Sequence, residues 1–513
     1  MPVHTAMPAD RAPARARIRQ GAWLGILTCV ITPALAGEAT AELEREQAKL
    51  PPEQQPRARM LTPRVTLYFV LGLCLFSGTS YTGVFLQVAA GLGVLAPATA
   101  ALSAARARLG EQPLKALFFL LCSPLTPRAE PWSHVCGLLA VAWDGTGITV
   151  ADTEANAAAF GRPAAGGKKK GPPPAPLARV VMLIACGTRC ALAAAAGPCR
   201  GKETGERALA RQLLGCLRKG MLLLADKGFY SYGLWNETAA TGADLLWRAK
   251  DSMHLPVTAE LPDGSFLARV NDPRAVQRRL HTNGRRRRRG SKLPPETGPL
   301  PGITVRVIEF ILAVTADDGS TRTQRYRLLT TLEDHRAYPA AELAAAYARR
   351  WAVETGWREV KTYLRGSGRA LRGETPALAF QEIWALLAVY QALRALIARA
   401  AAGADLDPSR ISFTTALRTA RAGMDTPRRK LAAALDAAEP RMLAALVPER
   451  PHRVCPRTVK RVPFTAFPAA KTSQQARIPR HATRTVTISP PGQATRTPAD
   501  QQQQAETNGN QPP

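Results

Sequence analysis

Apolar and polar positions change rhythm three times along this chain. Up to about residue 125 the apolar residues recur at helical spacing, with Pro63 and Pro97 marking breaks. From Leu138 the texture turns to short apolar runs. LLAVAW ends in Asp144-Gly-Thr-Gly and ITVAD follows, which predicts two strands joined by a tight turn. A glycine-, lysine- and proline-rich stretch (GGKKKGPPPAP) leads to a third strand over Val180 to Ala185. Residues 205–218 place Ala208, Leu209, Leu213 and Leu217 on one face of a helix. MLLLAD then reads as a buried strand ending at Asp226, and ADLLWRA as a fifth strand after a helical stretch. Between 251 and 332, SFLARV, ITVRVIEFILAV and QRYRLLTTL predict further strands around a loop holding Arg285 to Arg289. Helices return at Pro339 and continue to about 447. Beyond 451 the chain is rich in proline, threonine and glutamine, with too little apolar content to fold alone.

Length and charge narrow the class. A chain of 513 residues suggests several structural units, and 46% apolar residues suffice to pack them. A formal charge of +30 points to a polyanionic partner, with nucleic acid the first candidate. The nine cysteines include no Cys-x-x-Cys pair, and Cys186, Cys190 and Cys199 have no histidine near enough in sequence to complete a zinc pattern. They read as reduced thiols of a cytoplasmic protein. Two stretches imitate membrane-directed segments. Arg15 to Gln20 followed by GAWLGILTCVITPALAGEATA resembles a signal peptide, but Thr28, Thr32 and Pro33 interrupt its apolar run. Val65 to Ala105 has 41 residues without a charge, broken by SGTSYTG, Gln87 and Pro97. Buried helices are the better reading of that stretch.

The stretch YARRWAVETGWREVK, Tyr347 to Lys361, carries the chemistry. At 100° per residue Tyr347, Arg350, Glu354 and Lys361 share an arc of about 60°, beside an apolar stripe of Ala346, Val353, Val360 and Leu364. Glu359 faces away from that rail. Arg350 and Glu354 also fit an ordinary helix-surface ion pair. Asp144 and Asp226 each end an apolar run with a glycine close behind, where carboxylates point into the crevice of an α/β sheet. Either aspartate fits an ordinary turn, and Asp152 has the same appearance. Taken together, two strand-end aspartates and a helix glutamate suit two-metal phosphoryl transfer, because hard divalent ions take oxygen ligands. Arg350 and Lys361 would grip neighbouring phosphates, and Tyr347 would donate to one or stack.

The spacing Tyr-x2-Arg-x3-Glu-x6-Lys resembles the signature of bacterial insertion-sequence DDE transposases of the IS-four family, which Tyr347, Arg350, Glu354 and Lys361 match without a gap. Asp226-Lys227-Gly228-Phe229 resembles the family's second motif, with lysine where arginine is usual, and Asp144-Gly145-Thr146 its first. The helical region from about residue 15 resembles the family's N-terminal domain, which sets aside the signal-peptide and membrane readings. The resemblance implies an α/β fold: a ribonuclease-H-like catalytic core interrupted by a β-rich insertion, with a helical N-terminal domain. The disordered C-terminal tail, read from composition, and the basic Arg285–Arg289 loop depart from the family's pattern. The expected divisions are a helical DNA-binding domain over 1–125, the core over 126–250 and 333–450, the insertion over 251–332, and a basic tail over 451–513. The resemblance further implies Asp144, Asp226 and Glu354 as catalytic metal ligands, and Tyr347, Arg350 and Lys361 as DNA-binding residues. Two Mg2+ ions would serve as cofactor, with Mn2+ as a substitute. The implied partners are double-stranded DNA of transposon ends and target and a second copy in a homodimer, with no membrane. The expected activity is cleavage of transposon ends and joining to target DNA in the bacterial cytoplasm, at the nucleoid. A nuclease that does not join, or a non-catalytic DNA-binding derivative, are the alternatives. Trp247 is a candidate for stacking on a flipped base, against a core position in LLWRA.

Overall fold

The computed structural model describes residues 24–50, 60–90, 95–123, 130–163, 174–201, 204–288, 297–316, 319, 321–426, 428–447 and 482–489. The chain divides into two compact units. One gathers the described residues of Met1–His134, Leu139–Cys216 and Arg349–Val447, the other those of Val135–Leu138, Leu217–Ala348 and Pro448–Pro513.

Five helices open the first unit: α1 (Pro33–Ala48), α2 (Pro63–Leu75), α3 (Tyr81–Val88), α4 (Thr99–Leu109) and α5 (Gln112–Leu121). Thr-Pro starts α1 and α2 by one device. The threonine hydroxyl accepts the N–H three residues on, from Leu35 or Val65, while proline fills the first helical position, where no N–H is needed. The charge-free stretch after Arg64 is therefore three short helices, α2 to α4, with α2 buried over nearly all its length.

Next comes strand β1 (Leu138–Thr149), then α6 (Glu154–Phe160), β2 (Leu177–Ala185), β3 (Ala191–Pro198) and α7 (Glu206–Arg211). The three strands pair antiparallel in the order β3-β2-β1. The tight turn expected at Asp144-Gly-Thr-Gly is absent. β1 runs straight through it, with Asp144 opposite Met182, Thr146 opposite Val180 and Thr149 opposite Leu177. Its glycines provide room instead of a bend: a Cβ on Gly145 would lie 2.5 Å from the Glu206 side chain, and one on Gly147 2.5 Å from Leu177. The third strand is ALAAAAGP, an alanine run without the branched residues that mark strands in a sequence. The helix expected over 205–218 is shorter, α7 followed by a 3-10 turn at Leu214–Cys216.

The second unit holds β4 (Met221–Ala225), α8 (Tyr232–Ala239), β5 (Asp244–Arg248), β6 (Val257–Glu260), β7 (Phe266–Asn271), α9 (Pro273–Arg288), β8 (Gly302–Ala316), β9 (Thr321–Thr330) and α10 (Ala340–Ala346). β4 and β5 are parallel with α8 as the crossover, and the order continues β5-β9-β8-β7-β6. The arginine run expected in a loop continues a helix: Arg285 to Arg288 are the last turn of α9, and Arg289 lies outside the described residues.

Back in the first unit are α11 (Trp351–Arg358), α12 (Pro376–Gly403), α13 (Phe413–Ala422) and α14 (Leu431–Leu443). α12, again started by a Thr-Pro pair, is long and apolar enough to cross a membrane by length and composition. In the fold it is the central core helix. Its two buried glutamines are matched: Gln381 accepts from Arg106 Nε at 3.1 Å and donates to Arg106 O at 2.9 Å. Gln391 accepts from Ala191 N at 2.7 Å and donates to Leu121 O at 2.9 Å. Helices α4 and α5, strand β3 and α12 are thereby locked together. Of the C-terminal segment expected to lack structure, Ala482–Ile488 forms a strand, β10, antiparallel to β8 in the second unit. The rest of the tail beyond 451, apart from Ser489, lies outside the described residues.

Candidate active site

Asp144 sits in the middle of β1, half-buried, at the point where Trp357 Nε1 donates to its backbone carbonyl at 3.2 Å. That bond ties β1 to α11, the helix that carries Glu354. The two carboxylates come from segments about 210 residues apart and interact electrostatically. Burial raises the Asp144 pKa from 3.8 to about 6. The Gly145 amide pulls it down, Glu354 and Glu206 push it up, and Arg350 opposes them.

Arg350 Nη2 lies 2.8 Å from Glu354 Oε1 and its guanidinium stands over the Trp351 ring at 5.2 Å. Lys361 Nζ donates to Thr146 Oγ1 at 3.0 Å. Thr146 is two residues past Asp144 and so on the same face of β1. Burial and the nearby Arg365 lower the Lys361 pKa. The helical geometry assumed for the rail does not extend to this lysine. The segment is 3-10 over Tyr347–Arg350, α-helical over Trp351–Arg358 and π-helical over Glu359–Leu364, with Arg365 N bonded to Val360 O five residues back. The wider π turn advances less per residue, so Lys361 falls short of its α-helical bearing, and its long side chain still reaches β1.

Glu359 does face away from the rail, into the core. It lies 2.9 Å from Arg189 and 3.7 Å from the fully buried Arg394, whose Nε and Nη2 both donate to Thr188 O. Gly356 leaves space for the same packing, since a Cβ there would lie 2.7 Å from the Tyr390 hydroxyl.

The other two predicted residues belong to the second unit. Asp226 follows β4 directly and is half-buried, its carbonyl closing a turn with Phe229 N at 3.0 Å. Tyr347 is buried, and its hydroxyl donates to Ala225 O at 3.2 Å, the residue before Asp226. The structure thus gives Tyr347 a grip on the strand end that carries Asp226. Lys227, at the family's usual arginine position, pairs with Asp251 at 2.9 Å. Trp247 is wholly buried against Trp235, with ring centroids 5.3 Å apart, which is the core position.

Asp144 and Glu354 present the hard oxygen donors a divalent cation takes, and the negative charge of Glu354 helps to raise the proton affinity of Asp144. Among the described residues no three His, Cys, Asp or Glu side chains gather closely enough to hold an ion by themselves. Arg350 supplies the positive charge beside Glu354 instead. The residue the sequence reading missed is Glu206 of α7, whose side chain fills the space that Gly145 leaves open. Its only signal was that glycine, which resembled a turn.

Residues 24–119 match the family described as the insertion element 4 transposase N-terminal region, and residues 137–392 match the transposase DDE domain. The chain belongs to the DDE transposases of this insertion-element type. It is 29% identical over 299 residues to the transposase InsG for insertion sequence element IS4 of Escherichia coli (strain K12), covering 58% of this chain and 60% of that protein. It is 28% identical over 182 residues to the protein y4zB of Sinorhizobium fredii, covering 35% and 43%. The matched stretch thus spans less than two thirds of either relative. A piggyBac transposase synaptic complex with hairpin DNA aligns over 80% of this chain and 84% of its own at 10% identity and a TM-score of 0.42, too slight a likeness to carry a structural argument.

Proposed function

We propose that this chain is a DNA transposase that cleaves the ends of its own element and joins them to target DNA by metal-dependent phosphoryl transfer. The observation that carries this is the electrostatic interaction of Asp144 with Glu354, with Arg350 paired to Glu354 and Lys361 bonded to Thr146 two residues past Asp144. Membership of the DDE family supports it. We assign the core to the ribonuclease-H-like fold, consistent with three antiparallel strands, a helix, and a parallel β-α-β pair in that order. Asp226 is the third acid by its motif, as the turn residue after β4.

Asp144, Asp226 and Glu354 would hold two divalent ions, Mg2+ or Mn2+ in its place, which when bound supply charge stabilisation at the scissile phosphate and lower the pKa of the attacking hydroxyl. The chain's own residues do the rest. Arg350 turns its planar fork toward a phosphate flanking the cut and orients it. Lys361, held beside Thr146, adds a point charge on the same face. Tyr347 fixes the end of β4 and so the bearing of Asp226. Joining two ends to one target calls for two active sites, and therefore for a homodimer on the DNA.

The test uses purified protein, a duplex ending in the sequences that flank the gene, a target plasmid and magnesium. Wild type is expected to nick at the element boundary and to yield joined products, whereas Asp144→Asn and Glu354→Gln yield neither. Cleavage by the Asp144→Asn protein at the wild-type rate would overturn the assignment. Cleavage by wild type without joined product would make the chain a nuclease.

A further inference from the structure

Helix α9 has an exposed cationic ridge. At 100° per residue Arg274, Arg278, His281, Arg285 and Arg288 fall within an arc of about 80°, along about 21 Å of helix. All five are exposed, while Ala275, about 100° round the helix from the middle of the ridge, is buried and Val276, Arg279, Thr282 and Arg286 are half-buried. The helix contains no Asp or Glu, and among the described residues none of the four ridge arginines forms an ion pair. Like charges three and four residues apart repel along a helix, so the ridge is unfavourable for the isolated chain until counter-charge arrives.

We propose that this ridge is a docking surface for the sugar-phosphate backbone of double-stranded DNA, indifferent to base sequence. Three features favour that partner. The cations repeat every 4.5 to 6 Å, by a rise of about 1.5 Å per residue, along a straight line, so several can meet phosphates of one strand at once. They are arginines, whose forked donors suit phosphate oxygens. The ridge has little apolar surface to enter a lipid layer, Leu280 being the one large exposed apolar residue on α9. The proposal rests on the transposase reading for its choice of partner.

The measurement is the affinity of the full chain for a random-sequence duplex as a function of salt, in chelator, so that cleavage plays no part. The variant carries Arg274→Gln, Arg278→Gln, Arg285→Gln and Arg288→Gln together. A control removes as much charge from exposed positions elsewhere, by Arg218→Gln, Lys219→Gln, Arg429→Gln and Lys430→Gln. The ridge variant is expected to lose about 3 to 4 units of the slope of log affinity against log salt, at about 0.9 per phosphate contact, and the control less than one. Lysine at the same four ridge positions retains the slope, which separates charge from any damage to the helix. An unchanged slope in the ridge variant overturns the proposal and leaves the transposase reading standing. So does an equal loss in the control, or ridge-dependent binding to anionic phospholipid vesicles stronger than to duplex. Wild-type protein that does not bind duplex at low salt overturns both readings.

Discussion

Arg350 Nη2 and Glu354 Oε1 lie 2.8 Å apart, with side chains 9% and 30% exposed, so the glutamate expected to face a metal ion is held by its own helix neighbour. A cation entering beside Asp144 competes with Arg350 for that carboxylate. Arg350→Ala is therefore expected to bind Mn2+ more tightly than wild type in calorimetric titration, and yet to cleave at least tenfold more slowly in single turnover. A wild-type cleavage rate in the folded variant would leave Arg350 as a helix-pairing residue only.

Glu359, five residues further on, predicts the opposite balance. Glu359→Ala strands Arg394 in the core with Arg189 unpaired, and loss of one partner of a buried pair costs on the order of 3–5 kcal/mol. Chemical denaturation is expected to show that loss. Glu354→Gln, by contrast, shifts the midpoint little and abolishes cleavage.

Asp144 sets a pH dependence with a definite sign. Its pKa is about 6 in the folded chain against an ordinary 3.8, so between those values the native state keeps a proton that the unfolded chain releases. Stability from this group is greatest below about pH 4 and falls as pH rises through 6, by up to about 3 kcal/mol. Asp144→Asn removes the fall. Urea midpoints are expected to favour that variant over wild type at pH 7.5 and to converge near pH 4. Manganese binding by wild type, which needs the ionised carboxyl, strengthens over the same interval.

Glu206 contributes to that shift. Glu206→Gln removes a negative neighbour and is expected to move the stability transition of Asp144 to lower pH, read as the difference between the variant and its Asp144→Asn double mutant. An unmoved transition would mean that Glu206 only fills space beside Gly145.

Removal of residues before 126 should do more than delete a recognition module. Arg106 and Leu121 supply partners to Gln381 and Gln391 inside the same compact unit, and Arg106 lies 3.8 Å from the buried Glu382. A chain starting at 126 is expected to lose cooperative unfolding in the remaining first-unit residues, by circular dichroism, instead of folding alone.

What the sequence made legible follows from how strongly each feature is written. Apolar runs located β1, β2, β4 and β5, and the Thr-Pro pairs mark helix starts because both residues act locally. Asp144 drew attention through a turn that does not exist, since β1 runs straight through it. Glycine reports either a bend or a close neighbour, and only the fold brings Glu206 to Gly145. Strand β3 was missed because alanine favours no strand, and the π turn at Glu359 because it arises where the helix packs on Arg189, Arg394 and Tyr390. Tyr347 read as a donor to phosphate or a stacking ring from its place on a polar rail. Its hydroxyl is instead taken by a carbonyl some 120 residues earlier in the chain.

Strand β10 gives the second unit a timetable. β7 covers β8 only over Gly302 to Val307, and β10 takes the same edge from Phe310 to Ala316. That half-edge is made some 170 residues before the strand that closes it, which at about 5–20 residues per second leaves it bare for roughly 9 to 34 s on the ribosome. A bare edge recruits strands from other chains. A transcript cut short before residue 482 would therefore release a protein with its acids in place and an adhesive side.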